Sequence, residues 1–392
     1  MAKLLHDAKA NNKKIFLQFG GQGAPYLKEI TKLYKEEPLL KEYFETVFSL
    51  LSEFESSFPK SDSRYTFGYD LKSWMESPES APSEDYLIRG SVSVPMIFLT
   101  QLGHYHLMNL KGYSTSLLLS LTSGITGHSQ GILAATFASL GFEGKEFYSQ
   151  LKDYFRFVFY LAFHAQGAFL EFEIPAVVAE GNTANGDKNP APMVAVIGYN
   201  KEELEDRVNR ANKDLGLTGT EMVHVSLYNT PDSMIVSGHP ASLLKFRSKF
   251  KAEMDESKKK FVYLRTTAPF HCPAMENSWP GFLKDFNDGK FLFNYKASDL
   301  KVPVYSIFDG EDIRKKSVPL IEVLYKDIVI RPLYWDKAVG SLFTDTSIGY
   351  CLDFGPSVVS SKLTGGQLTP RGITLPVLCL ANPKDLKQIY EA

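Results

Sequence analysis

The pentapeptide Gly127-His128-Ser129-Gln130-Gly131 lies between an apolar run, 122–127, and a stretch rich in small apolar residues, 132–140. A G-x-S-x-G sequence at such a junction admits few folds. The serine sits in strained backbone dihedrals on a strand-to-helix turn, and side chains on its glycine neighbours would stop the turn from closing. Its hydroxyl is left at a helix N-terminus, where free N–H groups and the helix dipole favour developing negative charge. The competing reading is an incidental strand-to-helix turn.

The rest of the chain supports an α/β organisation. Residues 15–19 read as a short buried strand ending in Gly20-Gly21-Gln22-Gly23, and 27–54 carry helical periodicity broken at Pro38. Residues 52–90, rich in Ser, Pro, Glu and Asp, read as surface loop with one short helix. A buried helix over 93–110 is expected to open with Ser93 as N-cap and Pro95 in its first turn. A second helix covers about 144–165, and 176–192 lack periodicity and read as a loop at a subdomain boundary. From 193 the pattern changes to strand, helix, strand, strand, helix, strand, closing at 261–266, which is the split βαβ order. Strands at 302–305 and 350–354 return to the α/β style.

Composition narrows the function classes. With 43 Lys+Arg against 45 Asp+Glu, the net charge of -2 lacks the basic excess of a dedicated nucleic-acid binder. The three cysteines, Cys272, Cys351 and Cys379, show no metal-ligand or disulfide spacing, so neither a zinc site nor a disulfide framework is expected, and reduced thiols suggest a cytoplasmic protein. Lysines occupy the place of a signal-peptide core, and the apolar run from 92 to 125 is interrupted by His104, His106 and Lys111, so no membrane span is expected.

An activated serine needs a base and two oxyanion donors. Of the eight histidines, His6, His104 and His106 precede the motif, and His128 points away from its neighbour Ser129. Downstream are His164, His224, His239 and His271. His224 alternates along a strand and His239 begins a helix. His271 lies in a Pro-bracketed turn, Pro269-Phe270-His271-Cys272-Pro273, and is the candidate base, against the reading of a surface or satisfied core histidine. The backbone N–H of Gln130 is the first expected donor. The glycine-rich 20–23 turn is the natural source of the second, its alternative being a plain tight turn.

Taken in order, FGGQG, SVSVPMIFLTQLGHYHL, GHSQG, the segment from Asn229 to Gly238, APFHC, IFDGEDIR, IRPLYW and LDFGP resemble the malonyl/acetyl transferases of fatty acid and polyketide synthesis. The nearest likeness is to the acetyl (starter) transferase domain of the fungal-type fatty acid synthase beta subunit. This resemblance implies an α/β-hydrolase-like large subdomain, residues 1–190 and 268–392, with an inserted ferredoxin-like small subdomain, 191–267. It implies a Ser129–His271 dyad that carries an acyl group from acyl-CoA to the phosphopantetheine thiol of an acyl carrier protein (ACP) by ping-pong transfer. Gln22 would supply the second oxyanion N–H. Main-chain carbonyls orient the histidine in this family, and Ile328 is the candidate for one of them; Asn229 matches an asparagine near the active site.

One departure bears on the substrate. Malonyl-selective relatives carry an arginine on the second helix after the serine, which pairs with the free carboxylate. That register falls at Tyr154 or Phe155, with Arg156 rotated away and read as solvated or structural. An apolar pocket including Tyr154, Phe155, His164 and Phe270 would favour acetyl or another uncharged starter. A malonyl transferase on the same scaffold, an esterase or thioesterase, and a non-enzymatic binding module are the alternatives; the esterase order would place a histidine late in the chain, and none follows His271. Because carrier proteins are acidic, Lys258, Lys259, Lys260 and Arg265 are candidates for a docking patch.

Overall fold

The computed structural model describes residues 2–23, 25–57 and 61–390. Among these residues the strands are β1 (Lys14–Phe19), β2 (Thr122–Gly127), β3 (Met193–Ile197), β4 (His224–Thr230), β5 (Ser233–Ser237), β6 (Lys260–Tyr263), β7 (Leu333–Tyr334), β8 (Ile348–Asp353) and β9 (Val377–Cys379). They form two sheets, ordered β2-β1-β8-β9 and β6-β3-β5-β4-β7.

Every pairing in the first sheet is parallel. Such sheets need cover on both faces, and β1 shows it: all five residues from Ile15 to Phe19 are buried. The strand expected at 302–305 reduces to a single parallel bridge from Val304 to Ile125, extending the β2 edge.

In the second sheet β3, β4, β5 and β6, with helices Lys201–Asp214 and Pro240–Glu256, make the βαββαβ unit, all neighbours antiparallel. The side-chain period of two decides which way each residue faces. Val194, Val196, Met234 and Val236 join the unit's own core against its helices. Met193, Leu227 and Ile235 instead enter the main core. β7, from the far end of the chain, pairs in parallel with β4 and ties the unit to the C-terminal part.

Three sequence expectations change. The buried helix runs over Gly90–Leu110, starting three residues before Ser93, and Pro95 lies inside it. Pro95 has no N–H for the carbonyl of Ser91, and the Tyr69 hydroxyl donates to that carbonyl instead. Segment 61–87 is accordingly a cap over the helix start, not surface loop: Tyr65, Tyr69, Trp74 and Tyr86 are buried. Tyr69→Phe is expected to lower stability by about 1–2 kcal/mol by leaving that acceptor unpaired; an unchanged urea midpoint would contradict this.

Residues 176–185, expected as loop, form the helix Ala176–Asn185, closed by Gly186 at φ +83°. Its sequence is weakly amphipathic and contains Gly181. Tertiary contacts override the poor propensity: Gly181 packs under Leu244, and Tyr263 Oη donates to Asn182 Oδ1 at 2.8 Å. The lysine-bearing N-terminus forms a helix, Lys3–Ala10, with Leu4, Leu5 and Ala8 buried. No helix among the described residues is long and apolar enough to cross a membrane.

Candidate active site

β2 ends at Gly127 and the helix Gly131–Leu140 begins directly after Gln130. Between them Ser129 adopts φ +53°, a left-handed conformation that non-glycine residues take only where surroundings enforce it. Both glycines are sterically required. A Cβ on Gly127 would lie 1.9 Å from the carbonyl carbon of Gly131, and one on Gly131 would lie 2.4 Å from the carbonyl oxygen of Phe19.

Ser129 Oγ lies 2.7 Å from His271 Nε2. His271 also has a positive φ, +60°, and its backbone N–H donates to the carbonyl of Val329 at 2.9 Å. On the other side of the ring, Nδ1 is 3.1 Å from the carbonyl oxygen of Arg331. A carbonyl only accepts, so Nδ1 carries the hydrogen and Nε2 presents its lone pair to the serine hydroxyl. Burial disfavours the charged ring and pushes its pKa down to about 3, opposed in part by the Arg331 carbonyl.

The orienting carbonyl is therefore that of Arg331 and not of Ile328. Ile328 lies in the last turn of the helix Leu320–Val329, where carbonyls run along the axis. The Arg331 carbonyl, two residues beyond the helix end, is the one that lies 3.1 Å from the imidazole. Arg331 is itself anchored: its Nη1 is 3.2 Å from Asp327 Oδ1. Asp327 is buried and also accepts from Ser306 Oγ at 2.7 Å.

The 20–23 turn lies against the nucleophile. A Cβ on Gly21 would meet His128 Nδ1 at 2.8 Å and Ser129 Cβ at 3.4 Å. Gln22 is anchored through its side chain, with Nε2 donating to Ser93 Oγ at 2.6 Å and to the carbonyl of Ile88 at 3.2 Å. Behind the turn, Gly20 N–H donates to the carbonyl of Gly355 at 2.7 Å. That loop is fixed by the buried Asp353, which accepts from Gln18, Ser360, Ser361 and Gly355 N–H. Gln130 is buried at the start of the helix, and its side-chain amide has no partner among the described residues.

Asn229 reaches the site at one remove. Its Oδ1 is 2.8 Å from Nε2 of His128, a buried ring whose pKa desolvation pushes down to about 4. Phe270 packs against the start of the Gly90–Leu110 helix, its Cζ 2.9 Å from where a Cβ on Gly90 would sit. The other expected pocket residues make their contacts elsewhere. Tyr154 is buried among the rings of Phe98, Phe137 and Phe293, and Phe155 packs edge-on to Phe54. His164 Nε2 is 2.8 Å from Asp285, whose carboxylate also pairs with Lys290. The helix Gly144–Gly167 turns these three side chains toward other rings and the Trp279–Asn287 helix, a rotation no spacing in the sequence fixes.

Arg156 pairs with Glu53 at 2.5 Å and with Asp153 at 3.1 Å, at the surface. Of the basic candidates, Lys259 bonds the carbonyl of Gly198 and Arg265 pairs with Glu84. Sequence reasoning missed the Asp327–Arg331 pair and the Asp353 cluster. The IRPLYW and LDFGP segments that hold Arg331 and Asp353 were the available signals.

The family described as "Starter unit:ACP transacylase in aflatoxin biosynthesis" matches residues 17–271, the span from β1 to His271. Fatty acid synthase subunit beta of Saccharomyces cerevisiae is 28% identical over 399 residues, covering 95% of this chain and 19% of that protein. The chain thus spans about a fifth of the length of that curated relative. The crystal structure of MCAT from Streptococcus pneumoniae superposes with a TM-score of 0.67 at 19% identity, covering 96% of this chain and 99% of that one. PlMCAT, solved with AntF as a type II PKS acyl-carrier protein in complex with its malonyl-transacylase, gives 0.67 at 17%, with 97% and 100% covered. At such identities these structures speak for the fold, an α/β large subdomain with a ferredoxin-like small one. The chain belongs to the starter unit:ACP transacylase family.

Proposed function

We propose that this chain moves an uncharged acyl group, acetyl or a similar starter, from acyl-CoA to the phosphopantetheine thiol of an acyl carrier protein through an acyl-Ser129 ester. The observation that carries this is the 2.7 Å contact from Ser129 Oγ to a His271 whose far nitrogen is held by a carbonyl. The neutral imidazole takes the hydroxyl proton as Oγ attacks the thioester carbonyl. The backbone N–H groups of Gln130 and Gln22 receive the developing oxyanion. Collapse expels the CoA thiolate, which takes the proton from His271. The carrier thiol then gives its proton to His271 and attacks the ester, returning Ser129 to its hydroxyl form. Metal and bound cofactor have no part in this scheme.

The membership in a starter-unit family and the beta-subunit relative support a carrier-protein acceptor. An uncharged acyl group is favoured because Arg156, the arginine nearest the malonyl-binding register, is held by Glu53 and Asp153. Arg156→Ala is expected to leave the ratio of acetyl to malonyl transfer unchanged and stability within about 1 kcal/mol, since it breaks only partly exposed pairs. A rise of acetyl over malonyl transfer in that variant would contradict the assignment.

The histidine also sets a pH dependence. Because burial holds the His271 pKa near about 3, the free enzyme keeps a neutral base as pH falls through 6.5, where an ordinary histidine would be half protonated. Pre-steady-state acylation of Ser129 is expected to stay level from pH 8 to about pH 5. A half-point near pH 6.5 would contradict it. The reading as a whole is tested by transfer of labelled acetyl from acetyl-CoA to holo-ACP; release of free acetate with no labelled carrier would instead make the chain a thioesterase.

A further inference from the structure

Two cavities meet at one ion pair. The first, about 300 Å³, has Ser93 and Ile97 buried at its inner end beside Gln22, and Lys28, Glu84 and Arg265 at its exposed end. Gln22 is one residue from the glycine that lies against Ser129. The second is a cleft of about 1300 Å³ lined by, among others, Arg89, Glu171, Tyr263 and Thr266. Glu84, Ile88 and Arg265 line both. The Arg265–Glu84 pair therefore stands where the cleft opens into the cavity.

Building on the acyl-transfer reading above, we infer that Arg265 binds the 4′-phosphate of a pantetheine arm and that Glu84 occupies the guanidinium until this phosphate displaces it.

Three observations carry this. Arg265 lies six residues before His271, so the backbone between them spans at most about 21 Å, a reach comparable with that of a pantetheine arm from thiol to phosphate. Beside the cation and Gln22 the same cavity is lined by Tyr26, Leu27, Leu87 and Ile97, surfaces suited to the arm's methylenes and geminal methyls. The pair is also inexpensive to open. Its side chains are 48% and 67% exposed, and such pairs contribute only about 0–1 kcal/mol. A phosphate offers more charge than a carboxylate and engages guanidinium in a bidentate fashion. Lys28 lines the same cavity and adds a second cation at its exposed end.

Opposite effects of the two partners distinguish a binding cation from a structural strap. Acylation of Ser129 would be followed with S-acetyl-pantetheine, S-acetyl-4′-phosphopantetheine and acetyl-CoA in the wild type, Arg265→Ala and Glu84→Gln. In Arg265→Ala the preference for S-acetyl-4′-phosphopantetheine over S-acetyl-pantetheine, as a ratio of kcat/KM, is expected to fall about tenfold, and in Glu84→Gln to rise about threefold. Changes of the same sign in both variants would make the pair a strap and overturn the inference. An effect confined to acetyl-CoA would assign the cation to the nucleotide phosphates and also overturn it. Calorimetric titration with 4′-phosphopantetheine separates this from failure of the acyl-transfer reading. Affinity lost in Arg265→Ala and gained in Glu84→Gln sustains the site even if no thioester acylates Ser129, and equal affinities reject it.

Discussion

Ser129→Ala is expected to slow acyl transfer by roughly 10⁴ to 10⁶-fold, His271→Ala by a similar factor, and the double variant by little more than either alone. The reason is that the two side chains act as one unit. Without the 2.7 Å acceptor at His271 Nε2, the hydroxyl must shed its proton unaided. Without Oγ there is nothing for the base to activate. On the proposed mechanism, what would remain in all three variants is oxyanion stabilisation and substrate binding, so the losses are not expected to add. Steady-state transfer to holo-ACP measures this, and factors that multiply in the double variant would mean that the two residues act independently. His271→Asn keeps a polar group near Arg331 yet presents no equivalent base, and it should be as slow as the alanine variant.

The second large effect is on stability. Gly127→Ala places a methyl 1.9 Å from the Gly131 carbonyl carbon and 2.2 Å from both its oxygen and the N of Ile132. These are backbone atoms of the elbow, so no side chain can swing aside. The variant is expected to lose more than about 4 kcal/mol, the range reserved for severe steric disruption, read as a fallen denaturation midpoint or failure to fold. Gly365→Ala is the counterpart. Gly365 lies in the helix Val359–Leu368 with open space at its Cβ position, and alanine there should stabilise by up to about 1 kcal/mol. Equal behaviour of the two variants would contradict the role given to the elbow glycines.

Much of this fold was legible because two local patterns leave little freedom. The glycines of the elbow announce a strand-to-helix turn, and the near-continuous apolar runs of β3 and β5 fit strands covered on both faces. Both rest on geometry that side-chain type encodes. The features that were not legible lack such encoding. Every residue has a carbonyl, so sequence could not say that Arg331 rather than Ile328 holds the imidazole. The Ala176–Asn185 helix owes its existence to Leu244 and Tyr263, distant in the chain. Asn229 was placed near the site, but only the folded chain shows that it holds His128. For Tyr154 and Phe155, helical register alone did not determine that both rings would be absorbed by the aromatic core.

Ser129 is proposed to carry the acyl group. This is tested most directly by intact mass after brief exposure to acetyl-CoA and, separately, malonyl-CoA. One acetyl adduct is expected on the wild type, none on Ser129→Ala, and no malonyl adduct on either. An acetyl adduct that persists in Ser129→Ala, or a wild type that acquires only malonyl, would contradict it.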